Sequence, residues 1–147
     1  MPLAPANYAA DRIELQDKQS RVVLTGDVDI TQDNLRLRAA RTTVAYTNDG
    51  ELRIQRIDAT GGVTITRNAE SARGDVANYD FNRRIITLVG NVVLRRGADV
   101  SNGARLVIDL DSGQSAFVGT NGGVSRPGSV PGGRVTGSFS VAKQSGA

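Results

Sequence analysis

Histidine, cysteine and tryptophan are absent from the chain, and methionine occurs once. These absences exclude thiol nucleophiles, Ser-His triads, imidazole acid/base steps and Cys/His zinc sites. No apolar run approaches the roughly 18 residues that mark a membrane-spanning helix. No signal peptide precedes the opening MPLAPANYAADRIEL, so if the protein is exported we expect this sequence to be its mature form. The sequence predicts no catalytic residue, no metal site and no cofactor.

Aromatic residues are also scarce, at 4% of a chain that is 39% hydrophobic, so an interior packed with aromatic rings is not expected. Instead the 147 residues include 17 glycines against 4 prolines, with frequent Val, Ile, Thr and Asn. Such a mixture favours many short strands joined by tight turns. At this length the chain is predicted to be a single all-β domain with its own core.

Arginine dominates the positive charge, since it supplies 16 of the 18 basic residues of a chain whose net charge is +3. Arginine holds phosphate and carboxylate oxygens in a bidentate fork, so an anionic partner is worth considering. Nucleic acid is not the expected partner, because the arginines alternate with aspartates along the chain instead of clustering beside stacking aromatics. The sequence does not indicate which arginines would meet phosphate or a sugar acid.

A repeated phrase organises the chain: an apolar residue, Thr or Val, Gly, any residue, Val, any residue, then Ile or Leu. It occurs as LTGDVDI (24–30), ATGGVTI (59–65) and LVGNVVL (88–94), with a weaker copy, FVGTNGG, around Gly119. Gly26, Gly61 and Gly90 are 35 and then 29 residues apart. Recurrence at about 30 residues is typical of stacked supersecondary units that cover one another's apolar faces.

Around these glycines apolar and polar residues alternate, which is the period of a β-strand. Glycine within a strand costs roughly 0.5–1 kcal/mol relative to alanine, so its repetition needs a reason. A bend or bulge supplies one, and bends repeated at one register would fold a sheet into two walls. The segment DNLRLRAARTTVAY (33–46) could alternatively form a short helix, although its alternation favours a strand.

Some acidic residues invite a chemical interpretation. Asp27, Asp29 and Asp33 could suggest a calcium loop, but the apolar residues between them fit the wall of a sheet, which puts these acids on its wet face. A pair of carboxylates could hydrolyse glycosides without histidine, so a short β-helix enzyme acting on polysaccharides is the enzymatic alternative. Solenoids of that kind generally need more repeats than this chain contains.

Three segments carry a family likeness: GDVDITQDNLRLRAARTTVAY, GGVTITRNAESARGDVANYD and GNVVLRRGADVSNGARLVIDL. They resemble the OstA-like (LptA) family of bacterial lipopolysaccharide transport. The resemblance implies an all-β fold, a β-jellyroll or "β-taco" of roughly sixteen antiparallel strands whose apolar groove holds acyl chains. It also implies a periplasmic, non-enzymatic protein that binds lipopolysaccharide or a related glycolipid and carries or bridges it from the inner to the outer membrane.

One OstA-like β-jellyroll domain is expected over residues 8–141, followed by a disordered tail at 142–147. The Gly/Pro-rich segment 119–133 departs from the family and leaves the pairing of the last strand open. The side chains expected to line the groove are the inward members of the alternating pattern: Val28, Ile30, Leu37, Val44, Tyr46, Ile54, Val63, Ile65, Tyr79, Phe81, Ile86, Leu88, Val92, Leu94, Leu106, Ile108, Leu110 and Val118.

The implied partners are the glycolipid, LptC-like inner-membrane and LptD-like outer-membrane jellyroll domains, and further copies of the chain joined head to tail. Neither the segment around Ile13 and Leu15 nor the segment 135–141 carries the proline or inward lysine that usually blocks further strand pairing. Edge-strand interfaces are therefore expected at Ile13, Leu15, Val135, Phe139 and Val141. The alternatives left open are an LptC-like jellyroll, the N-terminal jellyroll of an LptD-like protein, and the short β-helix enzyme.

Overall fold

The computed structural model describes residues 6–118 and 135–138, which form ten strands and one short 3-10 helix at Asp17–Gln19. The strands are β1 (Asn7–Ala9), β2 (Arg12–Gln16), β3 (Arg21–Gln32), β4 (Leu35–Asn48), β5 (Leu52–Arg67), β6 (Glu70–Asp80), β7 (Ile85–Arg96), β8 (Asp99–Asp109), β9 (Ser115–Val118) and β10 (Thr136–Ser138). Within these ranges no helix has the length and apolar character needed to cross a membrane. The expected tail at 142–147 lies outside the described residues.

The strands join into one antiparallel sheet in the order β1, β3, β4, β5, β6, β7, β8, β10. β2 pairs with β3 beyond the end of β1, and β9 pairs with β8 beyond β10, so two short strands lie end to end along each edge. The all-β prediction is confirmed. The alternative helix at 33–46 is wrong, because β4 covers most of that segment, and the antiparallel pairing contradicts a β-helix, whose coils pair in parallel.

All six long strands, β3 to β8, change register at the same level of the sheet. Between β3 and β4 the pair Thr25–Arg41 is followed by Val28–Ala39, so two residues of β3 oppose the single Ala40. This count defines a β-bulge, which bends a strand and increases its twist. The bulged pairs are Gly26-Asp27, Gly61-Gly62 and Gly90-Asn91, and all of them have φ between 43° and 89°. We call the line that they form across the sheet the bend.

The bend divides the sheet into two walls of eight strand segments each, because every long strand contributes a segment to both sides. The first wall includes the short strands β2 and β9, and the second wall includes β1 and β10. The apolar side chains of both walls form one buried cluster, which requires the two inner faces to pack against each other. The predicted two-walled jellyroll is therefore confirmed.

Opposite the bend, both walls end in hairpin turns. The turns of the first wall lie at 17–20, 49–51, 81–84 and 110–114, and those of the second wall lie at 33–34, 68–69 and 97–98. We call these rows of turns the first and second lips, and the line where the walls meet between them the seam. The lips are polar, because tight turns favour Asp, Asn and Gly.

Gly61 and Gly62 provide a matched test of the bend, because their φ angles are nearly equal, at +84° and +83°. A Cβ added at Gly61 would lie 2.6 Å from the Cβ of Ala40, whereas nothing lies within 4 Å of one added at Gly62. We expect Gly62→Ala to cost about 1 kcal/mol from the left-handed backbone alone. Gly61→Ala should cost about 3 kcal/mol, because overpacking against β4 is added. Urea unfolding measures both losses; equal losses would show that the close approach of β4 does not set the bend.

Candidate functional site

The inner faces of the two walls touch along most of their length. Leu88 and Leu106 of the first wall are fully buried, and Val63 and Val92 of the second wall are 1% exposed. Side chains this well covered leave no room for a ligand between them. The groove expected from the sequence is therefore closed in its middle, and the interior space lies elsewhere.

A cavity of about 410 Å³ opens at the sheet edge that β1 and β2 form. Its lining residues come from β1 to β5 and the segment before β1, and all but Asn48 are apolar or aromatic: Ala6, Tyr8, Leu15, Val22, Leu24, Ile30, Val44, Tyr46, Asn48, Leu52, Ile54 and Ile57. The edge strands that flank it are only three and five residues long, so they leave this end of the interior uncovered. The volume lies within the roughly 300–1,000 Å³ typical of small-molecule pockets. We call this space the edge cavity.

Two narrow clefts continue from the edge cavity along the seam. Each has a volume of about 20 Å³, which is room for about one water molecule. The shared lining residues are Ala6, Ile30 and Ile57 between the edge cavity and the first cleft, and Leu35, Ile65 and Ile86 between the first cleft and the second. Shared apolar residues therefore connect the open edge with β7 and β8, although the space between the walls is much narrower in the clefts than in the edge cavity.

A polar pocket of about 380 Å³ lies between the two lips, beside the clefts. The side chains that give it its character are Asn34, Arg67 and Asn68 on the second wall, and Arg84, Asp111 and Ser112 on the first wall. Arg84 donates from Nε to Oδ1 of Asp111 at 2.7 Å, and Asn34 donates from Nδ2 to Oδ1 of Asn68 at 2.7 Å. Hydrogen-bond donors and acceptors from both walls thus face one space, which we call the lip pocket.

A group of polar contacts at the end far from the edge cavity includes one hydrogen bond that crosses the seam. Glu70, at the start of β6, lies 4.0 Å from Arg67 and 3.1 Å from Arg96 in the second wall. Arg96 also donates from Nη2 to Oγ of Ser115 at 3.4 Å, and Ser115 belongs to β9 in the first wall. The walls are joined there by this hydrogen bond as well as by apolar packing.

Tyr79 lies where the first cleft meets the lip pocket, and it is only 4% exposed. Its ring stacks on that of Phe81, with centroids 4.1 Å apart and planes 23° apart. Burial is the main reason that the pKa of the Tyr79 phenol is raised; the charge of Arg84 opposes the rise and that of Asp111 adds to it. The neutral phenol is therefore the form that the folded protein favours.

All but one of the residues predicted to line a groove face the interior. Ile30, Val44, Tyr46 and Ile54 line the edge cavity; Leu37, Ile65, Tyr79, Phe81, Ile86, Leu94, Ile108 and Leu110 line the clefts; and Val28, Val63, Leu88, Val92 and Leu106 are packed between the walls. Contact of any of them with a lipid stays a prediction.

Sequence reasoning missed several residues of the edge cavity. Val22 and Leu24 line it, and the signal was available, because they continue the alternation of Val28 and Ile30 through the bend. Tyr8, Leu52 and Ile57 carry no such signal, since only the folded sheet shows which stretch of the interior is left uncovered.

Val118 is the predicted lining residue that the structure places elsewhere. It is 44% exposed, because Phe117 is the residue of β9 that pairs with Leu106 and packs against the core. Its neighbour in sequence therefore points outward. The prediction was wrong at this position, since a strand of four residues is too short for its alternation to identify the inner face.

The residues predicted to form edge interfaces are only partly described. Ile13 and Leu15 do lie on the edge strand β2, where they are 43% and 69% exposed. Val135 precedes β10 and is 45% exposed, whereas Phe139 and Val141 lie outside the described residues. The part that these residues play in association remains a prediction.

The acids that suggested a calcium loop have structural roles instead. Asp29 accepts hydrogen bonds from Nε and Nη2 of Arg36 at 2.9 Å and 2.6 Å, and this bonding lowers the pKa of the Asp29 carboxyl. Asp27 belongs to the bend, and Asp33 adopts a positive φ in the turn after β3. In the part of the chain that the structure describes, no group of three or more such side chains could hold a metal ion. Asp27, Asp29 and Asp33 are therefore not grouped around one point as the ligands of a calcium loop would be.

Residues 9–114 match the model of a family described as "LptA/(LptD N-terminal domain) LPS transport protein". The match includes the bend and most of both walls. The chain belongs to this family. Because it is a family of lipopolysaccharide transport proteins, membership confirms both the resemblance to LptA and the prediction that the protein is not an enzyme.

Two relatives illustrate the range of the likeness. An uncharacterized protein of Rhizobium meliloti is 28% identical over 127 residues, which cover 82% of this chain and 68% of that protein. The crystal structure of LptH, the LptA-homologous periplasmic component of the lipopolysaccharide transport device of Pseudomonas aeruginosa, matches with a TM-score of 0.78 at 19% identity. That match covers 94% of this chain and 96% of LptH, and it shows the shared jellyroll fold.

The raised pKa of Tyr79 predicts a pH dependence of stability. Its contribution is fully present below the ordinary tyrosine pKa of about 10 and is lost as the pH rises through the higher folded-state value. Tyr79→Phe keeps the stacked ring and removes the ionising hydroxyl. We expect the free energy of unfolding to fall more steeply with pH for the wild type than for this variant above about pH 10, where the unfolded chain ionises first.

Urea unfolding at each pH measures the two slopes, and Tyr8→Phe, at a ring that is 61% exposed, is the matched control. Equal slopes for the wild type and Tyr79→Phe would contradict the effect of burial.

Proposed function

We propose that the domain binds lipopolysaccharide or a related glycolipid by its acyl chains and passes it along the seam. The edge cavity carries this proposal, because it is apolar, open at the sheet edge, and continuous through shared residues with the clefts between the walls. Family membership supports lipopolysaccharide as the ligand class. The likeness to LptH, a periplasmic component, supports the periplasm as the place where the domain acts.

Acyl chains suit this interior, because they need smooth apolar walls and no particular polar partner. Each buried methylene contributes about 0.8 kcal/mol, so a chain that fills the edge cavity gains several kcal/mol. The clefts are too narrow for further chains. A lipid with several chains therefore requires the walls to separate along the seam, while the six long strands, which run through the bend, keep the walls joined there.

The same proposal includes association of jellyrolls edge to edge. Ile13 and Leu15 of β2 pair with Leu24 and Val22, which belong to the inner face. The inner apolar face thus extends to the edge and ends there uncovered, with Leu15 at 69% exposure. A strand of another jellyroll that paired with this edge would continue the sheet and cover the edge cavity.

The proposed partners at the two edges are a second copy of the chain, an LptC-like domain of the inner membrane and an LptD-like domain of the outer membrane. Head-to-tail contacts are heterologous and need not close into a ring, so the units could form a bridge. Because the family model covers LptA and the N-terminal domain of LptD together, the LptD-like alternative shares this proposal. The LptC-like alternative rests on the sequence resemblance alone.

Filling the edge cavity should weaken acyl-chain binding. We expect Val44→Trp, inside the cavity, to weaken the binding of a fluorescent long-chain fatty acid and of lipopolysaccharide by about tenfold or more, because the indole takes the space of the chain. Val89→Trp is the matched control, since Val89 is 43% exposed on the outer face. Fluorescence titration measures both affinities, and urea unfolding checks that both variants are folded.

Photo-crosslinking maps the path of the lipid independently. Photoreactive residues at Ile30 in the edge cavity and at Ile108 in the second cleft should capture lipopolysaccharide, with stronger capture at Ile30, whereas one at Val89 should not. If folded protein captures no lipid at either inner position, the binding proposal is abandoned.

A charge on the inner face of the edge should disrupt association. Leu15→Lys places an ammonium group on the exposed apolar side of β2, whereas Glu14→Gln changes the net charge by the same amount on the opposite side. In sedimentation over a range of concentrations, we expect the wild type and Glu14→Gln to self-associate and Leu15→Lys to remain monomeric. A wild type that stays monomeric at every concentration and binds no jellyroll partner would rule out the bridge.

A further inference from the structure

The lip pocket is polar, unlike the edge cavity, and it shares lining residues with both clefts of the seam. We propose that it receives the anionic sugar headgroup of the glycolipid, with Arg84 and Arg67 holding the phosphate or carboxylate oxygens. The inference rests on the proposed function, because it requires the acyl chains of the same molecule to lie between the walls. It assigns a headgroup site to two of the sixteen arginines of the chain.

The position of the lip pocket fits a molecule that is apolar at one end and polar at the other. Leu35 and Leu110 line both the second cleft and the lip pocket, and Tyr79 lines both the first cleft and the lip pocket. A lipid whose chains enter the seam would therefore place its headgroup between the lips. Tyr79, whose side chain has an apolar ring and a polar hydroxyl, lies where the apolar lining meets the polar lining.

The side chains of the lip pocket are of the kind that recognises a charged sugar. Guanidinium groups bind phosphate and carboxylate in a bidentate fork, and the amides of Asn34 and Asn68 can donate to and accept from sugar hydroxyls. The side chains of Arg67 and Arg84 are 21% and 37% exposed. At this exposure their interaction with an anion is less screened by salt than that of fully solvated arginines.

The acids of the lip pocket determine which anions can bind. The lining includes two acids, Asp33 and Asp111, against the two arginines, and Glu70 lies 4.0 Å from Arg67, so the pocket has no excess positive charge to attract a free anion. A headgroup tethered by buried acyl chains is different, because its effective concentration at the pocket is high. The structure therefore favours a lipid headgroup over free phosphate.

Asp111 competes with the headgroup for Arg84. The two side chains are 2.7 Å apart, and Asp111 is 67% exposed, so it can swing into solvent at little cost when an anion approaches. Removing its charge should therefore tighten the binding of an anionic lipid. A residue with a purely structural role would not produce such a gain.

The test compares three probes: phosphorylated lipid A, the same lipid after phosphatase treatment, and inorganic phosphate. We expect Arg84→Gln to weaken the binding of phosphorylated lipid A about tenfold, because a charge-assisted hydrogen bond is lost, and to leave the dephosphorylated lipid unaffected. Arg67→Gln should act in the same direction. Arg83→Gln is the matched control, since Arg83 is the exposed neighbour of Arg84 and does not line the pocket.

Asp111→Asn should change the affinity for phosphorylated lipid A in the opposite direction. It should tighten the binding of phosphorylated lipid A several-fold and leave the dephosphorylated lipid unchanged. Fluorescence titration of all variants, each checked by urea unfolding, provides these affinities.

The outcomes separate this inference from the proposed function. If both lipids bind the wild type and neither Arg84→Gln nor Asp111→Asn changes the preference between them, the headgroup site is wrong and the acyl cavity stands. If neither lipid binds the wild type, the proposed function itself fails. Inorganic phosphate that binds alone as tightly as the phosphorylated lipid would overturn the inference too, because the pocket would then be an anion site independent of the seam.

Discussion

The left-handed backbone along the bend is the constraint on which the rest of the structure depends. In β3, β5 and β7 two consecutive residues have positive φ, and in β4, β6 and β8 a single residue opposes each pair. Glycine at Gly61 lets the backbone approach the Cβ of Ala40, which a larger residue would prevent. Without this line the chain would form one open sheet with an apolar face exposed to water. With it, that face folds onto itself, and the inner walls, the seam and the lips all follow.

Much of this architecture could be predicted from the sequence, because two simple periods encode it. Alternation of apolar residues identifies the inner face, and the recurring glycines identify the bend. The alternation misleads where a strand is short, as at Val118, whose strand has only four residues. Neither period locates the edge cavity. Val44 lines that cavity and Val92 lies in the closed middle, yet both occupy the same kind of position in an alternation of apolar and polar residues. What distinguishes them is the length of the strands that cover them, which is a property of the whole sheet.

The lip pocket could not be predicted from the sequence for a related reason, because its residues lie far apart along the chain. Asn34 and Asn68 are hydrogen-bonded although 34 residues separate them, and Arg84 and Asp111 are bonded across 27 residues. Each residue alone belongs to an ordinary polar turn. Only the hairpin register aligns successive turns into a lip, and only the bend brings one lip opposite the other. The domain thus has the apolar edge cavity at one sheet edge and the polar lip pocket between its lips, and the clefts connect the two.

The bend also helps to fix the register of the strands, which burial of apolar side chains alone does not determine. A hairpin that slipped by two residues would keep every apolar side chain on the inner face, so burial alone distinguishes poorly between the two arrangements. Such a slip would move the glycine pair out of line and bring a Cβ into the position that Gly61 now occupies against Ala40. The glycine pairs therefore favour the strand register in which neighbouring hairpins place them in one line. A sheet with one slipped hairpin would therefore be less stable than the observed one, although it would bury the same apolar side chains.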